Sequence, residues 1–370
     1  MKVLIFVLIA GVVFGYFFWD DLFGTGGEDE ITTVSSDQDA DGAVAESDDA
    51  EEVPVVVRSE PGAKKVDDLV NAAQWAEAGR ILEARKAKGT LTAMEKAAYY
   101  RCLIGLGRES EARAVLDDLC TMKEMPGATV GLILDEVDRS SSILEKRRLL
   151  GKISNVSGGF KADEVERIVK AVDELNRSMP RSVEGLYKAE TYVVKPNDSL
   201  WEICRDYNRK RNLNVEVGLI RWLNGIESNN IFPDQSLTLP AEKLSIKVWT
   251  DSWLLCVFLG ESMLSAYKVG LGRDNKTPLG LFVIESKLEN PTWNSRKLGK
   301  ILEPGDPENV LGTRWLGFKN SPQFQGYGLH GTEEPKSIGK NMSDGCIRLL
   351  NEDVEELFEI ISRGTTVEIS

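Results

Sequence analysis

Only one histidine, His330, occurs in the 370 residues, so a mechanism that needs two imidazoles is excluded. The five cysteines, Cys102, Cys120, Cys204, Cys256 and Cys346, form no CxxC pair and have no histidine cluster beside them. That argues against a zinc site, and the odd number leaves at least one thiol unpaired. No Rossmann or P-loop glycine pattern is present, so no cofactor and no metal is expected. Lys and Arg are missing from one long stretch, Asp20 to Glu52, which carries 13 carboxylates. This stretch accounts for nearly all of the formal charge of −14. The remainder is close to neutral and has no electrostatic footprint for nucleic acid. At 42% apolar, the chain has room for about two to four domains with ordinary cores.

Val3 to Trp19 is an unbroken apolar run flanked by Lys2 and by Asp20-Asp21. As a helix it spans roughly 25 Å, just short of a ~30 Å hydrocarbon core. Its bulky end, Tyr16 to Trp19, suits signal cleavage poorly, so residues 1–23 are expected to be a membrane anchor rather than a removed signal segment. The charges place the N-terminus in the cytoplasm and the rest outside it, anchored to the inner membrane with the domains in the periplasm or beyond. Residues 24–63 are too acidic and too poor in apolar groups to fold alone and read as a disordered tether. Over residues 64–180 the apolar spacing becomes helical. A shift of 34 aligns Leu69 with Leu103, Glu77-Ala78 with Glu111-Ala112, and Ile81-Leu82 with Val115-Leu116. That period resembles a tetratricopeptide-type repeat, of which two copies are visible. Two readings stand: a helical spacer that packs on itself, or a face for a protein partner.

Residues 190–241 read as strand, helix, helix, strand. Tyr192-Val193-Val194 opens the segment, Asp198 or Ser199 caps a helix beginning at Leu200-Trp201, and Asn224-Gly225 stops a second one. With the ending Leu237-Thr238-Leu239-Pro240, this resembles a LysM module, a family that binds the N-acetylglucosamine backbone of peptidoglycan or chitin. Two departures stand out: Asp234 where a turn glycine is usual, and a basic insertion, Arg209-Lys210-Arg211.

From residue 244 to 370, short β-rich segments alternate with turns and precede one helix at about 352–362, which predicts a mainly-β sandwich. The whole chain is therefore expected to be a multidomain α+β protein. A cysteine is a competent nucleophile only where its thiolate is favoured, which an imidazole within reach does best. The one His precedes Cys346 by 16 residues, and Gly345 beside the thiol lets backbone N–H groups turn toward an oxyanion. Arg348, two residues on, shares a strand face with Cys346 and is placed to hold a substrate carboxylate.

His330-Gly331-Thr332, Ser337-Ile338-Gly339 and Ser343-Asp344-Gly345-Cys346-Ile347-Arg348 together resemble the signature of the YkuD-type L,D-transpeptidases, as does Thr277-Pro278-Leu279-Gly280. The resemblance implies that Cys346 attacks the third residue's carbonyl in a tetrapeptide stem and expels D-alanine. A diamino acid's amine on a neighbouring stem then resolves the thioester into a 3-3 cross-link. It further implies that His330 is base and then acid, oriented by the Gly331 carbonyl, with Gly345 and Cys346 N–H groups at the oxyanion. Ser343, Ser337 and Tyr327 join Gly345 and Arg348 as candidates for substrate contact. Many members carry His where Asp344 stands, and a carboxylate there opposes thiolate formation unless it faces away. Two alternatives remain: an L,D-carboxypeptidase that uses the same site with water, and a non-catalytic wall-binding scaffold. An NlpC/P60-type peptidase is disfavoured because its Cys precedes its His.

Overall fold

The structure, a computed structural model, describes residues 61–177, 189–295 and 299–370. The expected anchor (1–23) and almost all of the tether (24–63) lie outside the described residues. Among the described residues no helix is long and apolar enough to cross a membrane.

Seven helices open the described chain: Pro61–Asn71, Trp75–Ala87, Ala93–Gly105, Glu109–Cys120, Thr129–Arg139, Ile143–Gly151 and Ala162–Arg177. The second helices of the first three pairs start at 75, 109 and 143, each 34 residues after the last. Leu82, Leu116 and Leu150 recur at that spacing, each at most 1% exposed, and so do Leu69, Leu103 and Val137. The two copies legible in sequence are thus followed by a third helix pair. Its first helix follows Gly127, while the earlier Ala93–Gly105 helix is fixed by a reciprocal cap in which Glu95 N–H donates to Thr92 Oγ1 (3.2 Å) and Thr92 N–H to Glu95 Oε2 (2.9 Å).

This helical array packs neither on itself alone nor against empty space. Leu149, Leu150, Ile153 and Ile168 share one core with Trp249, Phe258 and Met263 of the C-terminal sheet. The Trp249 indole donates to the Val156 carbonyl (3.2 Å) and meets Phe160 edge-on at 5.0 Å. The opposite sides of the same strands, Ile246, Val248 and Leu255 among them, enter a second core. Covered on both faces, the strand Leu254–Leu259 is apolar at every position rather than alternating.

The next segment pairs the strand Ala189–Val193 antiparallel with Ser236–Pro240, across the helices Leu200–Arg211 and Val217–Asn224. Ser199 is the cap, accepting from Glu202 N–H at 3.3 Å. Asp234 adopts φ 67°, a left-handed conformation that a glycine takes freely and Asp tolerates at modest cost. The basic insertion falls in the last turn of the first helix, where cations suit the helix dipole, and Arg211 pairs there with Glu190. Trp222 donates to Glu356 Oε1 (2.8 Å), fastening this segment to the helix Asn351–Ile360.

The C-terminal strands form one curled eight-stranded sheet in the order Ile347–Arg348, Gly328–His330, Arg314–Phe318, Gly280–Glu289, Thr366–Ile369, Leu244–Trp249, Leu254–Leu259, Ser262–Lys268. The helix Asn351–Ile360 covers its inner face through Val354 and Leu357, both fully buried. In that helix's first turn, burial and then the neighbouring carboxylates Glu352, Glu356 and Asp173 push the Asp353 carboxyl up to about 7. The folded state therefore holds a proton that the unfolded chain releases above its ordinary value of 3.8. Stability from this group is present at low pH and is lost as pH rises from about 4 to about 7. Asp353→Asn is expected to raise unfolding free energy by roughly 1–2 kcal/mol at pH 7.5, discounted for partial exposure, with little gain at pH 4. Urea midpoints at the two pH values measure it.

Candidate active site

The site is built on the three strands at one end of the sheet. Gly328–His330 pairs parallel with Ile347–Arg348, setting Leu329 beside Ile347 and His330 beside Arg348. Gly328–His330 also pairs antiparallel with Arg314–Phe318, setting Trp315 beside His330 and Gly317 beside Gly328. Leu316, Leu329 and Ile347 are fully buried in the core, so by alternation the residues between them face the other way. Two adjacent rows result: Trp315, His330, Arg348, and beside them Gly317, Gly328, Cys346. By this register Cys346, just before its strand, lies on the same face as His330 and diagonal to it.

Gly345 supports this arrangement as no other residue can. Its φ is +127°, and a Cβ there would lie 2.5 Å from Tyr327 Cε1 and 2.8 Å from the Lys276 carbonyl oxygen. The turn is tied by Ser343, whose hydroxyl donates to the Cys346 carbonyl (2.6 Å) and accepts from Gly345 N–H (3.1 Å).

His330 Nδ1 lies 2.6 Å from the Gly331 carbonyl oxygen. A carbonyl only accepts, so Nδ1 carries the proton and Nε2 is the free base. Burial drives the His330 pKa down to about 4, with Arg348 adding to the shift and the Gly331 carbonyl opposing it. Burial likewise pushes the Cys346 thiol up to about 11, opposed by the Gly328 N–H and the Arg348 guanidinium. The resting pair at neutral pH is a thiol beside a neutral imidazole. Sγ sits 3.6 Å from the Gly326 carbonyl, to which it donates.

The structure brings Cys346, His330, Gly331, Gly345, Ser343, Tyr327 and Arg348 into one site, with Ser337 at its margin. Ser337 is 1% exposed and donates to the Glu334 carbonyl (2.7 Å) within the turn Pro335–Ser337. Arg348 Nη1 donates to Glu334 Oε2 (3.0 Å), so part of the fork expected to meet a carboxylate is already met by one. Asp344 is exposed and pairs with Arg273. Its charge raises the Cys346 pKa only as the smallest of the four influences on that thiol.

Four participants were not anticipated from sequence: Trp315, Arg273, Glu334 and the Gly328 N–H. Each reaches the site by register or by a turn, and the strand Arg314–Phe318 has no polar–apolar alternation to signal it.

Residues 250–369 match the L,D-transpeptidase catalytic domain family, YkuD, and residues 192–240 match the LysM domain family. The putative L,D-transpeptidase YkuD of Bacillus licheniformis is 31% identical over 186 residues, which are 48% of this chain and 98% of that protein. The putative L,D-transpeptidase YqjB of Bacillus subtilis is 41% identical over 118 residues, 31% of this chain and 65% of that protein. The chain thus spans a little less than two thirds of YqjB. Among solved structures, L,D-transpeptidase 3 of Mycobacterium tuberculosis, in complex with a faropenem-derived adduct, is 17% identical with a TM-score of 0.29, covering 50% of this chain and 92% of its own. An L,D-transpeptidase from Mycobacterium smegmatis is 19% identical, also at 0.29, covering 37% of this chain and 63% of its own.

Proposed function

Because the chain belongs to the YkuD L,D-transpeptidase family, we propose that it forms 3-3 cross-links in peptidoglycan through a thioester on Cys346. The observation that carries this reading is the diagonal placement of Cys346 against His330, whose Nδ1 is pinned to the Gly331 carbonyl and whose Nε2 is therefore basic.

On substrate binding, His330 Nε2 takes the Sγ proton as sulfur attacks the third residue's carbonyl. The Cys346 N–H receives the oxyanion. The Gly345 N–H, held by Ser343 Oγ in the resting site, joins it once that hydroxyl lets go. The imidazolium returns its proton to the departing D-alanine amine. The stem amine of a neighbouring strand then attacks the thioester, losing a proton to His330 while sulfur leaves and is reprotonated. Tyr327, packed against Gly345, and Arg348 wall the substrate, and Arg348 keeps Glu334 as its counter-ion.

The LysM module holds the enzyme on glycan, with Trp201 (61% exposed) and Phe232 (70%) as apolar contacts. The three helix pairs are tetratricopeptide-like, and residues 1–23 anchor the protein so that its domains work in the envelope.

The test is mass spectrometry of the full chain incubated with disaccharide-tetrapeptide and, separately, with a carbapenem. A 3-3 dimer with an adduct on Cys346 supports the transpeptidase. Tripeptide without dimer makes it an L,D-carboxypeptidase, and neither product nor adduct from folded protein leaves a wall-binding scaffold. Asp344→His is expected to change the carbapenem acylation rate by less than about threefold, because an exposed paired carboxylate acts weakly through water. Stopped-flow acylation measures it.

A further inference from the structure

We infer that Trp315 is a positioning residue for the reaction, holding the imidazole of His330 in plane and stabilising it when it becomes cationic. This rests on the reading of His330 as the base. Register places Trp315 directly beside His330 on the neighbouring strand. The two ring planes are 25° apart with centroids 6.0 Å apart, a near-parallel offset stack.

The adjacent row shows why the indole can lie this way. A Cβ on Gly317 would stand 2.5 Å from Trp315 Nε1, and a Cβ on Gly328 would stand 3.0 Å from its Cη2. Two consecutive glycines across the strands thus leave the berth into which the indole extends, between the His330 row and the Cys346 row. The berth and the stack are separate observations that agree on one ring position.

The chemistry gives that position a use. The Nδ1–H bond to Gly331 fixes which nitrogen is basic but does not by itself fix the tilt of the ring. A flat apolar neighbour does. Once His330 takes the thiol proton, the same indole face attracts the imidazolium, and Trp is the strongest of the aromatic faces for a cation. Trp315 is half-buried while His330 is 2% exposed, so the indole also screens the ring from water.

His330 is the chain's single histidine, so selective 15N-histidine labelling of the full chain gives one pair of ring signals. In the unaltered protein these should report the Nδ1–H tautomer, titrating near pH 4. Trp315→Leu, or the slimmer Trp315→Met should Leu fail to fold, is expected to mix the tautomers, seen as a redistribution of the two ring 15N shifts at neutral pH. It should also lower kcat by roughly 10- to 100-fold, with KM changed far less. Trp315→Phe, which keeps a ring, should restore the tautomer and most of kcat. Unchanged ring signals at neutral pH in a folded aliphatic variant would overturn the inference, as would a Phe variant no better than Leu. Failure of the His330 assignment would show differently, as full activity in a His330 variant while the Trp315 variants still shift the ring signals.

Discussion

Cys346→Ala should eliminate both the carbapenem adduct and the 3-3 dimer, with turnover down by at least roughly 10⁴-fold, the scale seen when a nucleophile is removed from a covalent mechanism. The fold should survive. Cys346 lies at the end of a two-residue pairing, partly exposed, and its carbonyl rather than its sulfur holds the Ser343 hydroxyl. Loss of one partly solvated sulfur should cost less than about 1.5 kcal/mol. Cys346→Ser, which retains the shape, should be nearly as inactive, since a hydroxyl beside a neutral imidazole is a far weaker nucleophile. Intact-mass spectra and thermal melts of the three proteins decide it. Turnover retained by either variant would remove Cys346 from the mechanism.

His330→Gln should lower the acylation rate by roughly 10²- to 10⁴-fold, the range for loss of a positioned general base. The pH dependence separates this residue from any other. In the unaltered enzyme, acylation should fall below about pH 4, where the buried imidazole finally takes a proton. The residual rate of the Gln variant should show no such limb. Stability gives an independent check. The folded pKa lies below the unfolded value of 6.5, so the unfolded chain binds a proton first as pH falls. Stability from this group is complete above pH 6.5 and is lost on the way down to about 4, on the order of 2–3 kcal/mol. The Gln variant should lose that slope, which urea midpoints at pH 7.5 and 4.5 would reveal.

The candidate site was named from the sequence mainly through the resemblance of its motifs to the YkuD signature, since residue types and spacing alone leave a packed cysteine and a structural histidine open. One imidazole, one cysteine beside a glycine and an arginine two residues on are the candidates the sequence offers, and the parallel pairing sets His330 beside Arg348 with Cys346 just before that strand. The partners supplied by pairing were not legible. Trp315 and His330 are 15 residues apart in sequence, and only the antiparallel register joins them. Arg273 reaches Asp344 from a turn 71 residues away. The strand Arg314–Phe318 carries no local signal of its role because its two faces serve two purposes, core and site, and neither is polar enough to produce alternation. The third helix pair was missed for a smaller reason: it keeps Glu145 where the earlier copies have Glu77 and Glu111, but puts Lys146 where they have Ala78 and Ala112. The inner strands were legible as β-rich, yet their two-sided burial was not, since nothing local shows which layer will cover the second face.

That second layer decides what counts as a folding unit. Trp249, Phe258 and Met263 are covered by helices that precede them by about a hundred residues, and the Trp249 indole completes a hydrogen bond to that array. A truncation starting at the LysM module or at residue 244 would lay this apolar face open to water, inviting self-association through it. Calorimetry should accordingly record the helices and the sheet melting together in one transition, and expression of the catalytic segment alone should yield aggregate where the longer chain stays dispersed.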